Sequence, residues 1–144
     1  MTDLPTLIAR VERLEGPDRE VDFDVWRIDG PDVQWDDHGC AVDFDGDAVA
    51  FVDPGQHSRN FYLASDYEDV VPRVTASLDA VVALAERVLP GWGWSVARST
   101  ELQPYGCMCA PDRTRPLIQA RAPTPALALL LALLRAVQAT KETT

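Results

Sequence analysis

The chain is short of positive charge and of long apolar runs. Among its 144 residues, 13 Lys+Arg stand against 23 Asp+Glu, which gives a formal net charge of −10, and Lys141 is the only lysine. Because an acidic protein gains no counterion release from contact with nucleic acid or anionic lipid, direct binding to either is disfavoured. The longest apolar run, residues 126–134, has nine residues, whereas a membrane span requires about 20. We therefore expect neither a nucleic-acid partner nor a membrane.

Cysteines and catalytic motifs are also scarce. There are three cysteines, and the N-terminus lacks the residue order of a signal peptide, so reduced thiols and a cytoplasmic protein are predicted. The sequence contains no phosphate-binding loop, dinucleotide-binding glycine motif, nucleophile elbow or zincin motif. These absences predict a non-enzymatic protein with no catalytic residues and no cofactor.

Two short motifs have the residue types of metal sites but lack essential ligands. Residues 43–47, Asp-Phe-Asp-Gly-Asp, match the first carboxylates of a calcium loop, but Pro54 stands where that loop needs a bidentate Glu. Cys107-Met-Cys109 is a candidate zinc motif with Cys40, His38 and His57 as further ligands, but it has one intervening residue, whereas zinc sites usually have Cys-x₂-Cys and a second ligand pair. No metal site is predicted, and whether residues 43–47 bind a cation stays open.

The first half of the chain predicts helices followed by a hairpin. Apolar spacing predicts a helix over residues 4–15 and a second one after Asp18, although the alternation of residues 21–25 is also compatible with a strand. Asp45-Gly46 separates two β-rich runs and predicts a hairpin over residues 40–52, and residues 61–63 are compatible with a strand. The predicted hairpin has one mostly apolar face, on which Phe44, Val42 and Cys40 lie opposite Asp47, Val49 and Phe51.

The second half predicts two helices and two strands. Residues 76–89 have helical spacing, with Thr75 or Ser77 as the predicted N-cap. Residues 117–122 are predicted to form a strand after a long turn or irregular hairpin over residues 103–116. Trp92, Trp94 and Val96 alternate with small residues and predict a strand with its aromatic face against the last helix. Thr124 is predicted to cap that helix, which starts at Pro125. The helix is apolar nearly all round, so it should be buried on more than one side. The expected fold is α+β, a single domain over residues 1–144 with a small antiparallel sheet between helical layers.

Four phrases of the sequence resemble small phage and prophage proteins of the phage ABA sandwich domain family. They are LEGPDREVD at residues 14–22, TASLDA at residues 75–80, LPGWGWSV at residues 89–96 and PTPALAL at residues 123–129. The resemblance implies an α/β/α sandwich and a phage or prophage origin in a bacterial cytoplasm. It implies no activity and no catalytic residue, and it does not extend to residues 29–74, which form an acidic, insertion-like region.

The negative charge belongs to the first half of the chain. Residues 1–75 contain 18 acidic and six basic residues, net −12, whereas residues 76–144 contain five acidic and seven basic residues, net +2. Trp26 and Trp35 lie among the carboxylates, an arrangement that suits an aromatic anchor for a basic partner. The alternatives are a solvated acidic face and tryptophans that cover the edge of the core. The predicted partner-binding residues are Asp22, Asp24, Trp26, Trp35, Asp36, Asp37, Asp43, Asp45 and Asp47.

The function predicted from these features is that of a non-enzymatic phage or prophage accessory protein. It would bind a basic protein partner through the acidic half, in the manner of an anti-CRISPR-like, anti-defence inhibitor. The alternative is a structural or assembly protein that forms a homo-oligomer, with the apolar last helix contributing to the interface.

Overall fold

The computed structural model describes residues 3–28, 32–37, 39–53, 60–98, 100–112 and 115–142. Within these residues the α+β class is confirmed, with helices and antiparallel strands both present. The helices are α1 (Leu4–Glu12), α2 (Arg19–Ile28), α3 (Leu78–Val88) and α4 (Pro125–Glu142). The strands are β1 (Gln34–Trp35), β2 (Cys40–Val42), β3 (Ala48–Asp53), β4 (Asn60–Leu63), β5 (Gly93–Ala97), β6 (Tyr105–Cys109) and β7 (Ile118–Arg121).

The strands are divided between two sheets. The first sheet has the order β1-β2-β3-β4 and the second the order β5-β6-β7, so each strand pairs with its neighbours in sequence. A 3₁₀ turn at Ser65–Tyr67 follows the first sheet, and α3 connects this region to the second sheet. The insertion-like region, residues 29–74, thus contains the whole first sheet, including the predicted hairpin as β2 and β3.

The larger core surrounds α4. This helix contacts all three strands of the second sheet and also α1 and α3, and the prediction that it is buried on more than one side is confirmed. Gly106 of β6 allows the close approach, because a Cβ at that position would lie 2.5 Å from the Cα of Leu129. The helix therefore packs its apolar residues against the rest of the same chain, and the homo-oligomer alternative stays a prediction. Among the described helices, none is long and apolar enough to cross a membrane.

Helix α2 separates the larger core from a smaller one. Val21 and Val25 pack into the larger core, whereas Phe23 and Trp26 pack against the first sheet. Positions two apart on a helix lie about 200° apart around its axis, so a helix buried on two sides shows the same alternation as a strand. This explains the ambiguous pattern of residues 21–25. Asp18 caps the helix by accepting a hydrogen bond from the Val21 N–H at 3.0 Å.

The hairpin differs from its predicted register. Cys40 pairs with Phe51 as predicted, but an irregularity after Ala41 shifts the ladder so that Val42 pairs with Ala48. The turn therefore spans residues 43–47 rather than Asp45-Gly46 alone. Of the face predicted to be apolar, Phe44 is 89% exposed and Phe51 is also exposed, whereas Val49 is fully buried. Val49 is buried in the smaller core together with Ala41 and Ala50, which belong to the opposite face of the predicted hairpin.

The second sheet contains a strand that the sequence pattern hides. Residues 103–116 include β6, the central strand, between β5 and β7. Of the aromatic face predicted for β5, Trp92 and Val96 pack against the larger core, whereas Trp94 is 43% exposed at the sheet's edge. Trp94 is therefore not the core residue that its alternation with Trp92 suggests.

Candidate functional site

Three of the predicted partner-binding residues are inside the protein. Asp22, Asp24 and Trp26 lie on α2 with 3%, 6% and 8% of their surfaces exposed. Because the helix is covered on two sides, residues that the acidic composition placed on a surface are enclosed between the two cores. This corrects the prediction, since a partner cannot reach them in the folded protein.

Asp22 joins α2 to the segment before α3. Its carboxylate accepts hydrogen bonds from the Thr75 backbone N–H at 2.8 Å and from the Thr75 hydroxyl at 2.7 Å. Arg19 donates to the other oxygen at 3.1 Å. Burial raises the pKa of Asp22 above its usual value, and the hydrogen bonds from Thr75 and Arg19 oppose that rise. Asp22 therefore stabilises the packing of α2 against the segment before α3 and does not contact a partner.

Asp24 is neutralised by arginines of the same chain. Its carboxylate forms an ion pair with Arg10 of α1 and lies 3.7 Å from an Arg27 guanidinium nitrogen. Arg27 also donates a hydrogen bond to the Val33 carbonyl at 3.0 Å. A buried carboxylate needs such partners to remain charged. Asp24 therefore links α1, α2 and the entry to the first sheet.

The two tryptophans cover the smaller core. Trp26 and Trp35 each lie 5.9 Å from the Phe23 ring centre, on α2 and β1 respectively. Phe61 is 5.5 Å from the same ring, and Tyr67 is 5.8 Å from Trp26. Contacts of this geometry stabilise a core beyond the area they bury. The alternative that these tryptophans cover the edge of the core is confirmed, although Trp35 remains half-buried.

The other predicted acids gather at two turns. Asp36 and Asp37 follow β1 at one end of β2, and both are exposed. The Asp36 N–H donates to the Cys40 carbonyl at 2.8 Å, and its carboxylate accepts from the Cys40 N–H at 2.9 Å. At the other end of β2, the turn of residues 43–47 contains the remaining three carboxylates. The structure therefore places acidic turns at both ends of one short strand.

Asp43 organises the second acidic turn. One of its carboxylate oxygens accepts hydrogen bonds from the N–H groups of Asp45 and Asp47, each at 2.9 Å, and the other accepts from the Tyr67 hydroxyl at 3.2 Å. Burial and the nearby carboxylates raise the pKa of Tyr67. The three carboxylates have oxygens within 4.8 Å of one another, but these hydrogen bonds account for Asp43 without a cation. Asp45 and Asp47 are exposed beside it.

An exposed apolar row lies between the two turns, and the sequence pattern did not assign it to a surface. Cys40, Phe51 and Tyr62 are neighbours across β2, β3 and β4. Phe51 is 42% exposed and Tyr62 is 54% exposed. The signal that could have found this row is the opposite face of the hairpin, where Ala41 and Ala50 are small enough to pack closely against a helix.

The residues of the zinc alternative do not gather at one point. Cys40 belongs to the first sheet, whereas Cys107 and Cys109 belong to the second, and all three are free thiols. His38 and His57 lie outside the described residues. Among the described residues, the only group with metal-ligand geometry is the Asp43 turn.

Comparison with known proteins assigns neither a family nor a site. No family model, curated protein or solved structure matches the chain. The resemblance to the phage ABA sandwich family therefore stays a prediction, and so does any role inferred from it. The geometry of the two acidic turns is what remains to support a function.

Proposed function

We propose that this protein is a non-enzymatic accessory protein that binds a protein partner with a basic surface. The observation that carries the proposal is the placement of exposed carboxylates at the two ends of β2, at Asp36 and Asp37 on one side and at Asp45 and Asp47 on the other. Residues 29–74 contain 11 acidic and two basic residues, a net charge of −9. The exposed part of the acidic half is thus concentrated around one sheet.

The charges of this sheet differ in kind from the buried ones. Asp22 and Asp24 have arginine partners within the chain, and Arg73 lies 3.6 Å from Glu68. Among the described residues, no cation lies within ion-pair distance of Asp45 or Asp47. Clustered carboxylates of one sign attract a basic partner over several ångströms, which accelerates association in a salt-dependent manner. They also repel nucleic acid and anionic membranes.

A phage anti-defence role is the particular form that we favour. Host enzymes that act on nucleic acid carry basic grooves for the phosphate backbone, and an acidic protein surface competes for the same positive charges. The support for this form is the phage resemblance of the sequence together with the acidic turns.

Titration with a synthetic peptide rich in Arg and Lys tests the proposal. The double variant Asp45→Asn/Asp47→Asn should bind the peptide about tenfold more weakly at low salt, because two unshielded attractions are lost. The control is Asp79→Asn/Glu86→Gln, which removes the same charge from exposed positions of α3 and should bind like the wild type. Equal weakening by both variants would mean that only net charge matters, and the proposal would fail.

A further inference from the structure

The outer face of the first sheet carries an apolar surface that neither core uses. Here the outer row denotes Cys40, Phe51 and Tyr62, which lie side by side across three strands. Successive residues of a strand point to opposite faces. Ala50 and Leu63 are buried in the smaller core, so their neighbours Phe51 and Tyr62 point away from it. Among the described α-helices, α2 is the one with extensive contact to the first sheet, and it lies on the opposite face.

Acidic turns lie at the two ends of β2, the strand that contributes Cys40 to the outer row. Asp36 and Asp37 precede β2, and the turn of residues 43–47 follows it. With a rise of about 3.3 Å per residue, the three-residue strand β2 separates the two turns by roughly 10 to 15 Å. An aromatic surface in a sheet that carries exposed carboxylates at both ends of one strand suits a ligand that is cationic and planar rather than simply apolar.

We propose that the outer row and its two flanking turns form the docking surface for an arginine-rich segment of the basic partner. This inference rests on the function proposed above and names the chemistry that the partner presents. An Arg guanidinium stacks on an aromatic ring and pairs with a carboxylate through two hydrogen bonds, whereas a Lys ammonium is compact and more strongly hydrated. Exposed Phe51 and Tyr62 supply the rings, and the turns supply the carboxylates.

The chain already uses arginine against aromatic rings. The Arg27 guanidinium lies 5.5 Å from the centre of the Phe23 ring, and Arg121 lies 5.2 Å from that of Tyr105. In the smaller core, Arg27 also pairs with Asp24 at 3.7 Å. A cation held between a ring and a carboxylate is therefore present inside the protein, and the outer row offers the same two groups to a partner.

Charge argues against a second copy of this chain as the occupant. Two outer rows facing each other would bring four acidic turns together, and each copy carries a formal net charge of −10. Like charges facing each other across an interface oppose association. An arginine-rich segment instead neutralises the turns as it covers the row.

Two peptides of equal length and charge test the inference, one with Arg and one with Lys at every cationic position. Wild-type protein should bind the Arg peptide about tenfold more tightly, by fluorescence anisotropy at low salt. Phe51→Thr/Tyr62→Thr, which keeps residues that favour strands, should lose this preference while binding the Lys peptide as before. Leu117→Thr replaces a residue that is 55% exposed in the other half and should change neither affinity.

The outcomes separate this inference from the function proposed above. If Asp45→Asn/Asp47→Asn weakens both peptides but Phe51→Thr/Tyr62→Thr leaves the Arg preference intact, the outer row is not the docking surface and the proposed function stands. If neither variant weakens either peptide, both fail. A dimer in light scattering that the threonine variant dissociates would assign the row to a second copy instead. Tyr62→Thr alone, at the more exposed position, provides the test should the double variant not fold.

Discussion

The two sheets of this protein have the same topology but expose different kinds of side chain to solvent. Both are antiparallel meanders that pack one face on helices. The second sheet exposes polar side chains, including Ser95, Gln119 and Arg121, together with one large aromatic residue, Trp94, at its edge. The first exposes Phe51 and Tyr62 between acidic turns. Single exposed apolar residues are common on protein surfaces, whereas adjacent ones mark contact sites more often, so the neighbouring rings of Phe51 and Tyr62 support the docking surface proposed above.

The two cores differ in the same way. The larger core is aliphatic and centred on α4, whose leucines from residue 127 to residue 134 are at most 2% exposed. The smaller core is a cluster of aromatic rings around Phe23, closed on one side by the half-buried Trp35. Among the described helices and strands, α2 alone contributes buried residues to both. The first sheet is therefore connected to the larger core mainly through α2. Variants in each core can test how independent the two cores are.

The largest effect is expected in the larger core, at Gly106. In Gly106→Ala the new Cβ would lie 2.5 Å from the Leu129 Cα and 2.6 Å from its nitrogen, so backbone must move. We expect a loss of about 3 kcal/mol or more in the free energy of unfolding, measured in urea. Gly93→Ala on the neighbouring strand is the control, because its Cβ would have no contact closer than 3.8 Å. Equal losses in the two variants would contradict the close packing of α4.

Loss of the hydrogen bonds between Asp22 and Thr75 should have an intermediate effect on the free energy of unfolding. Asp22→Ala leaves the Thr75 N–H and hydroxyl without their acceptor inside the protein, which should cost about 2 to 3 kcal/mol. Asp22→Asn keeps an acceptor oxygen and removes the buried charge, so its loss should be smaller. Urea titrations of both variants at neutral pH measure the difference. A loss in Asp22→Asn as large as in Asp22→Ala would show that the charge, not the acceptor, is what matters.

The buried carboxyl group of Asp22 also predicts that the stability of the protein depends on pH. The pKa of Asp22 is raised in the folded state from its ordinary 3.8, so the folded protein binds this proton more readily than the unfolded chain. The stability that this residue contributes is complete below the unfolded pKa and declines as pH rises through the folded pKa. The free energy of unfolding of Asp22→Asn has no such decline. Relative to the wild type, the stability of this variant should therefore increase between acidic and neutral pH. An unchanged difference across that range would contradict the raised pKa.

The sequence predicted elements whose signals are local. Pro125 and the Thr124 cap mark the start of α4, and the Leu127 N–H does donate to the Thr124 hydroxyl at 3.2 Å. Ser77, one of the two residues predicted to cap α3, accepts from the Ala80 N–H at 3.2 Å. Such signals depend on a few neighbouring residues and survive in any tertiary setting.

The features that the sequence did not predict correctly depend on contacts between residues far apart in the chain. Strand β6 lies between Pro104 and Pro111, and its Gly106 is dictated by contact with a helix more than 20 residues later. Which face of the hairpin is buried depends on α2, which packs on the alanines and leaves Phe51 outside. Burial of the acids on α2 likewise depends on both cores. A charge map along the chain therefore located the acidic half correctly but could not separate buried carboxylates from exposed ones.

The smallest effects on stability are expected for the acidic residues in the turn of residues 43–47, and they should differ between Asp43 and Asp45. Asp43→Ala removes the carboxylate that accepts from the N–H groups of residues 45 and 47 and from the Tyr67 hydroxyl, so a loss of about 1 to 2 kcal/mol is expected in urea unfolding. Asp45→Asn changes an exposed side chain and should stay within about 0.5 kcal/mol of the wild type. Peptide binding should show the reverse order, because Asp45 faces solvent while Asp43 is engaged in the turn. If Asp45→Asn destabilised the protein as much as Asp43→Ala, the exposed acids would be structural and the contrast between the two sheets would be lost.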